Sequence, residues 1–286
     1  MLSVCIPVYN SDITDLVNGL LNQIDALDDS IEICLIDDAS TNPTCDVLGF
    51  NHPKIIGFKN TVNSGRARVR NQFKEVANYG HLLFLDGDSR IIRSDFLKTY
   101  CDLLKTSKVE VLCGASVYQE NRPPRSHYLR WKYSILRESK TLIERQCNPK
   151  LGFKTNNFII DREIFKRVHF NESLRGYGHE DSLFGYDLNK AKVKINHVDN
   201  PVLNYQLDDN STFLKKTKEG VSNLKQVLQI VAHDSEFLKS NKLSRTYVSL
   251  KKSKLNWLIY LGLASIHPLN HFLLKRGLFV LTMFDL

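Results

Sequence analysis

The chain begins as short apolar runs alternating with amphipathic stretches. "LSVCIPV" is a compact apolar run ended by the turn-like "YNSD", and it predicts a strand. "ITDLVNGLLNQI" follows with apolar residues at helical spacing. "IEICLID" and "KIIGF" predict two further strands, with the loop "DASTNPT" between them. "SGRARVRNQFKEVAN" predicts a helix entered through Gly65, and "HLLFLDGD" a buried strand running into two aspartates. "SDFLKTYCDLLKTS" predicts a helix with Ser94 as N-cap and Phe96, Tyr100, Leu103 and Leu104 on one face. "VEVLCGASV" is another strand. This alternation calls for an α/β fold with a mostly parallel sheet and helices on both faces.

The pattern breaks over residues 120–150, where "ENRPPRSHYLRWKYSILRESK" is basic and aromatic. It reads as an exposed loop and helix, or as a flap over a site that takes part in acceptor binding. "TNNFIIDREIFKRV" resumes as strand and short helix, "GYGHEDSLFGYDLNKA" as a Gly-rich turn entering a helix, and "VKINHV" and "PVLNY" as two short strands. Beyond residue 210 the character changes to basic helical segments. Pro268 separates "SRTYVSLKKSKLNWLIYLGLASI" from "LNHFLLKRGLFVLTMF". The expected division is a catalytic domain over 1–210 and a helical extension over 211–286.

Charge sharpens that division. The chain has 286 residues and a formal net charge of +8, and 42% of its residues are hydrophobic, which excludes disordered and low-complexity classes. Of the 39 Lys and Arg, 12 lie in Ser211–Leu286, against 4 of the 31 Asp and Glu, so the extension carries the whole excess. A charge-balanced body argues against a nucleic-acid groove across the main domain. The six cysteines form no CxxC pair, so no zinc site is expected, and Cys5 and Cys34 read as core residues. No signal peptide is recognised, and a cytoplasmic setting is the expectation. Trp257–Ile266 is too short to span a bilayer.

Three acid clusters fall where α/β folds bind ligands, at the carboxyl ends of strands or at a helix start. Asp86 and Asp88 flank Gly87 after a buried strand. Such a pair suits a hard divalent cation, although a solvated Asp-Gly-Asp turn has the same sequence. Asp37 and Asp38 end another strand and suit a ribose or base, or a turn cap. Glu180 and Asp181 open a helix, where an ionised acid is favoured and can serve as a base, or can merely cap. Together they suit transfer chemistry on a nucleoside diphosphate compound. GxGxxG, Walker and GxSxG motifs are absent.

The ordered set "SVCIPVYN", "LIDDAS", "NSGRARVRN", "FLDGDSR", "FKTNNFIIDREIF" and "GYGHEDSLFG" resembles the family 2 glycosyltransferases over residues 2 to 206. The resemblance implies a GT-A fold with a mixed sheet. It also implies inverting transfer from a nucleotide sugar, commonly a UDP-sugar, to a glycan or lipid-linked acceptor, with Mn²⁺ or Mg²⁺. By position it implies a nucleotide or donor role for Pro7, Tyr9, Asp37, Asp38, Arg70, Asn71, Asp86, Asn156 and Asn157. Asp88, with Asp86, would hold the metal. Asp181 would be the base and Glu180 its substrate-binding neighbour. The chain departs from the family pattern at Ala39, where glycine is usual, and at Asn204, where related enzymes often carry a histidine linked to the metal. His197 and His179 lie near these motifs, and a structural hydrogen bond is the expected role of each.

Two other readings are a nucleotidyltransferase and a non-enzymatic basic module for membrane or nucleic acid. The first would want a Gly-rich basic loop after strand one, which "PVYNSD" does not supply. The extension, with Lys251, Lys252, Lys254, Lys275 and Arg276 beside apolar and aromatic runs, suits peripheral docking on the anionic inner face of the membrane. It equally suits a helical bundle or a dimer interface.

Overall fold

A computed structural model of the chain describes residues 1–42, 46–149, 153–174, 176–232, 234–252, 256–278 and 281–284. Its helices are α1 (Thr14–Ile24), α2 (Arg66–Val76), α3 (Phe96–Thr106), α4 (Tyr128–Tyr133), α5 (Leu142–Cys147), α6 (Arg162–Arg167), α7 (Glu180–Lys190), α8 (Asn210–Ile230), α9 (Ser235–Ser240), α10 (Lys242–Lys252), α11 (Asn256–Lys275) and α12 (Leu281–Phe284). The chain divides into two compact units. One comprises Met1–Gln119, Ser139–Arg175 and Glu180–Gln206, and the other Glu120–Glu138, Gly176–His179 and Leu207–Leu286.

The first unit is built on an eight-stranded sheet in the order β3-β2-β1-β4-β7-β6-β8-β5. Its strands are β1 (Leu2–Val8), β2 (Ile31–Asp37), β3 (Ile55–Lys59), β4 (His81–Leu85), β5 (Ser89–Ile91), β6 (Val111–Tyr118), β7 (Asn157–Asp161) and β8 (Ile195–Asn204). β1 to β4 are parallel, β7 runs antiparallel to both β4 and β6, β8 is parallel to β6, and β5 is antiparallel to β8. The mixed α/β sheet implied by the family resemblance is therefore present.

Both faces of the sheet are buried, which explains why its central strands read as unbroken apolar runs. Alternate residues separate onto two cores. On one face Val4, Ile6, Ile33, Leu35, Leu83 and Leu85 pack under Leu16, Leu20 and Ile24 of α1 and Phe96, Leu97 and Tyr100 of α3. On the other, Cys5, Cys34, Ile36, Leu82 and Phe84 meet Phe73 of α2, Phe165 of α6 and Phe184 of α7. The second core is rich in aromatic rings: Phe84 stacks on Phe158 at 4.9 Å, and Phe170 on Phe184 at 4.2 Å.

Local details differ from the sequence expectations. Ser94 does not cap α3. The helix starts at Phe96, and the Leu97 amide donates instead to Gln23 Oε1 of α1 at 2.9 Å, a tertiary cap that local sequence does not encode. "VKINHV" and "PVLNY" are one ten-residue strand, β8, rather than two. Pro201 is accommodated because the β6 register shifts between Cys113 and Ala115, where Gly114 forms the irregularity. The opened hydrogen bonds are taken up by Asn157, whose Nδ2 donates to the Ala115 and Asn200 carbonyls while Oδ1 accepts from the Tyr100 hydroxyl. Pro268 lies inside α11, which continues through it.

The second unit is helical. Asp209 caps α8 through the Ser211 and Thr212 amides. Asn210 is buried: its Oδ1 accepts from the Leu129 amide, and its Nδ2 donates to the Arg125 and Lys275 carbonyls. One side chain thereby joins the stretch before α4, the start of α8 and the end of α11 around a core of Leu129, Phe213 and Leu274.

A methyl group at Gly114 would collide with Asn157 Nδ2 and the Tyr100 hydroxyl. Gly114→Ala should therefore destabilise the protein by about 2–3 kcal/mol, measured by urea denaturation with an unchanged m-value. A stability within error of the parent would contradict this view of the bulge.

Candidate active site

β1, β2 and β4 are adjacent and parallel, so their carboxyl ends open on one edge of the sheet. The register sets Val8 opposite Asp37 and Cys5 opposite Phe84. Beyond β4 the chain turns through Asp86, Gly87 and Asp88, closed by the Ser89 amide donating to the Asp86 carbonyl at 3.0 Å. A Cβ on Gly87 would lie 3.2 Å from Ile13 Cγ2 and 3.5 Å from the Pro7 carbonyl, so a larger residue would crowd the β1 loop. Ser11 donates to the Gly87 carbonyl from that loop at 3.4 Å. β7 starts at the same edge, where the Asn156 carbonyl accepts from the Asp86 amide at 3.4 Å.

Arg70 of α2 is 3% exposed, and its Nη2 lies 2.6 Å from Asp86 Oδ1. The same guanidinium donates to the Arg66 carbonyl and sits 5.7 Å from the centre of the Phe170 ring. The sequence placed Arg70 near the nucleotide, and the structure places it beneath Asp86, holding that carboxylate. Asn71, expected beside the nucleotide, is buried, with its amide donating to Phe170 O and Glu172 Oε1 and accepting from the Phe170 amide. Asn157, expected at the donor, is likewise buried, in the β6 bulge. The side chain of each asparagine is engaged inside the protein.

The Asp37–Asp38 pair is hydrogen-bonded within the protein. Asp37 is fully buried: Oδ1 accepts from the Ser40 amide, and Oδ2 lies 3.4 Å from Lys59 Nζ. Asp38 Oδ1 accepts from Asn60 Nδ2 and from the amide and hydroxyl of Ser64, while Oδ2 accepts from the Gly65 amide at 2.9 Å. Asp38 thus holds the loop that launches α2. Tyr9 is 52% exposed at the lip of the edge, beside the partly buried Pro7. Ala39 adopts φ +62°, a left-handed conformation that costs a non-glycine residue about 1–2 kcal/mol, so the usual glycine has a backbone reason.

Glu180 and Asp181 open α7. Glu180 Oε1 lies 3.5 Å from Arg66 Nη1, which brings the first residues of α7 and α2 together. Asp181 is partly buried, and its Oδ1 accepts from the Ser182 amide at 2.7 Å. Arg66 was missed in the sequence because nothing local ties it to residue 180. His197 is buried, with Nδ1 facing Arg145 at 3.1 Å and Nε2 facing the Pro149 carbonyl at 2.9 Å. Burial lowers its pKa, and the adjacent guanidinium adds to the effect. The histidine is structural.

Strand register sets Asn204 opposite Ser89, one residue beyond Asp88. Asn204 Oδ1 is buried and has no hydrogen-bond partner among the described residues. Asp86, Asp88 and this amide oxygen offer only oxygen donors, the chemistry that suits a hard divalent cation. Among the described residues no three His, Cys, Asp or Glu side chains form a metal cluster. A cation here would therefore depend on further oxygens from a ligand.

The family model for glycosyl transferase family 2 matches residues 3–169. The chain belongs to the family 2 glycosyltransferases. This glycosyltransferase is 24% identical over 279 residues to the abequosyltransferase RfbV of Salmonella typhimurium, covering 90% of this chain and 82% of RfbV. It is 24% identical over 199 residues to an uncharacterized glycosyltransferase of Haemophilus influenzae, covering 68% and 74%. Among solved structures, S. aureus TarS 1–349 superposes with a TM-score of 0.60 at 22% identity, over 96% of this chain and 80% of that one, and so shares the GT-A fold. TarS itself is longer, and the likeness spans 36% of its larger solved chain at a TM-score of 0.53. TarS 1–349 has also been solved with UDP-GlcNAc, and that structure matches 72% of this chain at a TM-score of 0.54.

The Arg70–Asp86 pair should behave as one unit. A double-mutant cycle with Arg70→Met and Asp86→Asn should return a coupling of about 1–3 kcal/mol by chemical denaturation. Additive effects would show that the contact does not stabilise the fold.

Proposed function

We propose that this enzyme transfers a sugar, with inversion, from a UDP-sugar to a hydroxyl of a cell-envelope glycan or lipid-linked acceptor. The observation that supports this reading is that one helix, α2, pairs with both sets of acids of a family 2 domain, through Arg70 to Asp86 and through Arg66 to Glu180. Asp86 and Asp88 lie at the end of β4, and Glu180 and Asp181 at the start of α7 beside Arg66. The UDP-GlcNAc complex of TarS supports a UDP-sugar donor.

Asp181 accepts the proton of the acceptor hydroxyl as that oxygen attacks the anomeric carbon. The new C–O bond forms on the face opposite the diphosphate, whose own bond to that carbon breaks, releasing UDP. No protein nucleophile is needed, so one base gives inversion. Glu180, steadied by Arg66, flanks the base and orients the sugar. Tyr9 and Pro7 border the nucleotide. Asp88, with Asp86 and the Asn204 amide oxygen, would hold Mn²⁺ or Mg²⁺, which when bound offsets negative charge on the diphosphate. Arg70 keeps Asp86 oriented.

Asp181→Asn should leave UDP affinity within twofold while lowering transfer by at least about 10³-fold. In the same calorimetric series Asp88→Ala should remove the Mn²⁺-dependent part of UDP affinity. Near-normal turnover in Asp181→Asn would take Asp181 out of the mechanism. A thermal-shift screen of nucleotide sugars identifies the donor.

The tail supports a peripheral site of action. From Asn256 to His271 the sequence has no Asp, Glu, Lys or Arg, and Trp257, Tyr260, Leu261 and Leu269 of α11 are exposed. No helix among the described residues is long and apolar enough to cross a membrane. Lysines precede this apolar stretch, and Lys275 and Arg276 follow it. Such a helix suits the interface of an anionic bilayer. Pairing with a second copy would bring like charges together. Trp257→Asp/Tyr260→Asp/Leu261→Asp should abolish co-flotation with phosphatidylglycerol vesicles. Undiminished flotation would dismiss this helix as the anchor.

A further inference from the structure

The turn that leads into α7 is conformationally costly. Gly176, Gly178 and His179 all adopt left-handed backbone, with φ of +85°, +96° and +69°. For His179 this conformation is unfavourable, and it persists only if its surroundings enforce it. Residues Gly176–His179 belong to the same compact unit as α8.

One face of α8 is given over to this turn. Lys216, Gly220 and Asn223 are spaced by four and three residues and so line up along the helix. Lys216 is held by Asp208 at 2.7 Å, and its Nζ lies 5.3 Å from the centre of the Tyr177 ring. At Gly220 the helix surface is bare: a Cβ on Gly178 would already come within 3.1 Å of the Gly220 Cα. Asn223 is 5% exposed and donates through Nδ2 to the Tyr177 carbonyl at 3.0 Å and the Gly178 carbonyl at 3.4 Å. A glycine and an asparagine inside a helix are both unfavourable for the helix itself. Asn223 makes hydrogen bonds to the turn that alanine or leucine would not, whereas a Cβ at Gly220 would meet only the Tyr177 carbonyl, at 3.8 Å.

We propose that Asn223 is a positioning residue for the base. It clamps the Tyr177 and Gly178 carbonyls, which His179 separates from Glu180 and Asp181, and thereby fixes the backbone from which Asp181 departs. This rests on the reading of Asp181 as base. Asn223 touches no substrate. It acts through the turn, so its loss should slow the chemical step and spare nucleotide binding. Displacements of about 1 Å at a catalytic group are enough to cost roughly 100-fold in rate.

The test uses the full chain with Asn223→Ala and the equal-volume Asn223→Asp, which has no Nδ2 donor. The probe is UDP release from a mixture of UDP-glucose, UDP-galactose, UDP-GlcNAc and UDP-GalNAc, with UDP affinity measured by calorimetry in Mn²⁺. Both variants should lose about 10- to 100-fold in the saturating rate and keep UDP affinity within twofold. An unchanged rate, or a parallel loss of UDP affinity, overturns the inference. Hydrogen exchange of the Gly178–Ser182 amides needs no donor and should quicken in both variants. Unchanged protection there also overturns it. Asp181→Asn is measured alongside: full activity in that variant refutes the base assignment, whereas an inactive Asp181→Asn beside an unimpaired Asn223→Ala refutes only the clamp.

Discussion

A buried guanidinium must be paired or hydrogen-bonded or it destabilises the fold, and at the acidic edge Arg70 meets that constraint with a carboxylate. Arg70 is almost wholly withdrawn from water, and Asp86 is its partner at 2.6 Å. The pair ties α2 to the end of β4, so the Asp-Gly-Asp turn is anchored from below. It also differentiates the two aspartates. Asp86 is held by Arg70 through one oxygen, and Asp88 stands two residues further along the turn, next to the strand pair that carries Asn204. A neighbouring positive charge also lowers the repulsion among the acids gathered at this edge. The acidic edge and the basic helix beneath it are therefore a single electrostatic unit.

The same economy appears at Asp38. A carboxylate that accepts four hydrogen bonds from Asn60, Ser64 and Gly65 is a structural staple first. It shapes the loop before α2, and Arg66 at the start of that helix reaches Glu180. An acid read from the sequence as a contact to a nucleotide thus spends its oxygens on the loop before α2. Asn71 and Asn157 take this furthest, since each spends both ends of its amide inside the protein.

The fold was legible because both faces of the sheet are buried. Period-two separation of Val4 and Ile6 from Cys5, and of Leu83 from Phe84, needs only local sequence. The acid clusters were legible for a topological reason: parallel strands deliver their carboxyl ends to one edge. Features that depend on distant partners were not legible. Gln23 caps α3 from α1, Arg66 meets Glu180 across more than a hundred residues, and Asn157 fills a bulge in β6. Pro201 and Pro268 read as breaks because their local cost is real. Pro201 is absorbed where β6 shifts register at Gly114, and α11 simply continues past Pro268.

The basic extension looked from composition like an appendage defined by charge. Its structure gives the cations a secondary place. Asn210, a neutral side chain, joins three segments of the second unit, and Lys216 is neutralised by Asp208. What distinguishes α11 is the absence of charge over sixteen residues while its apolar side chains remain exposed. Burying that surface is worth far more per residue than a screened surface charge. If the extension engages an anionic surface, the apolar helix supplies the affinity and the flanking lysines its preference for sign. In that proposal the net charge of +8 would select the sign of the surface, and the exposed helix would supply the contact.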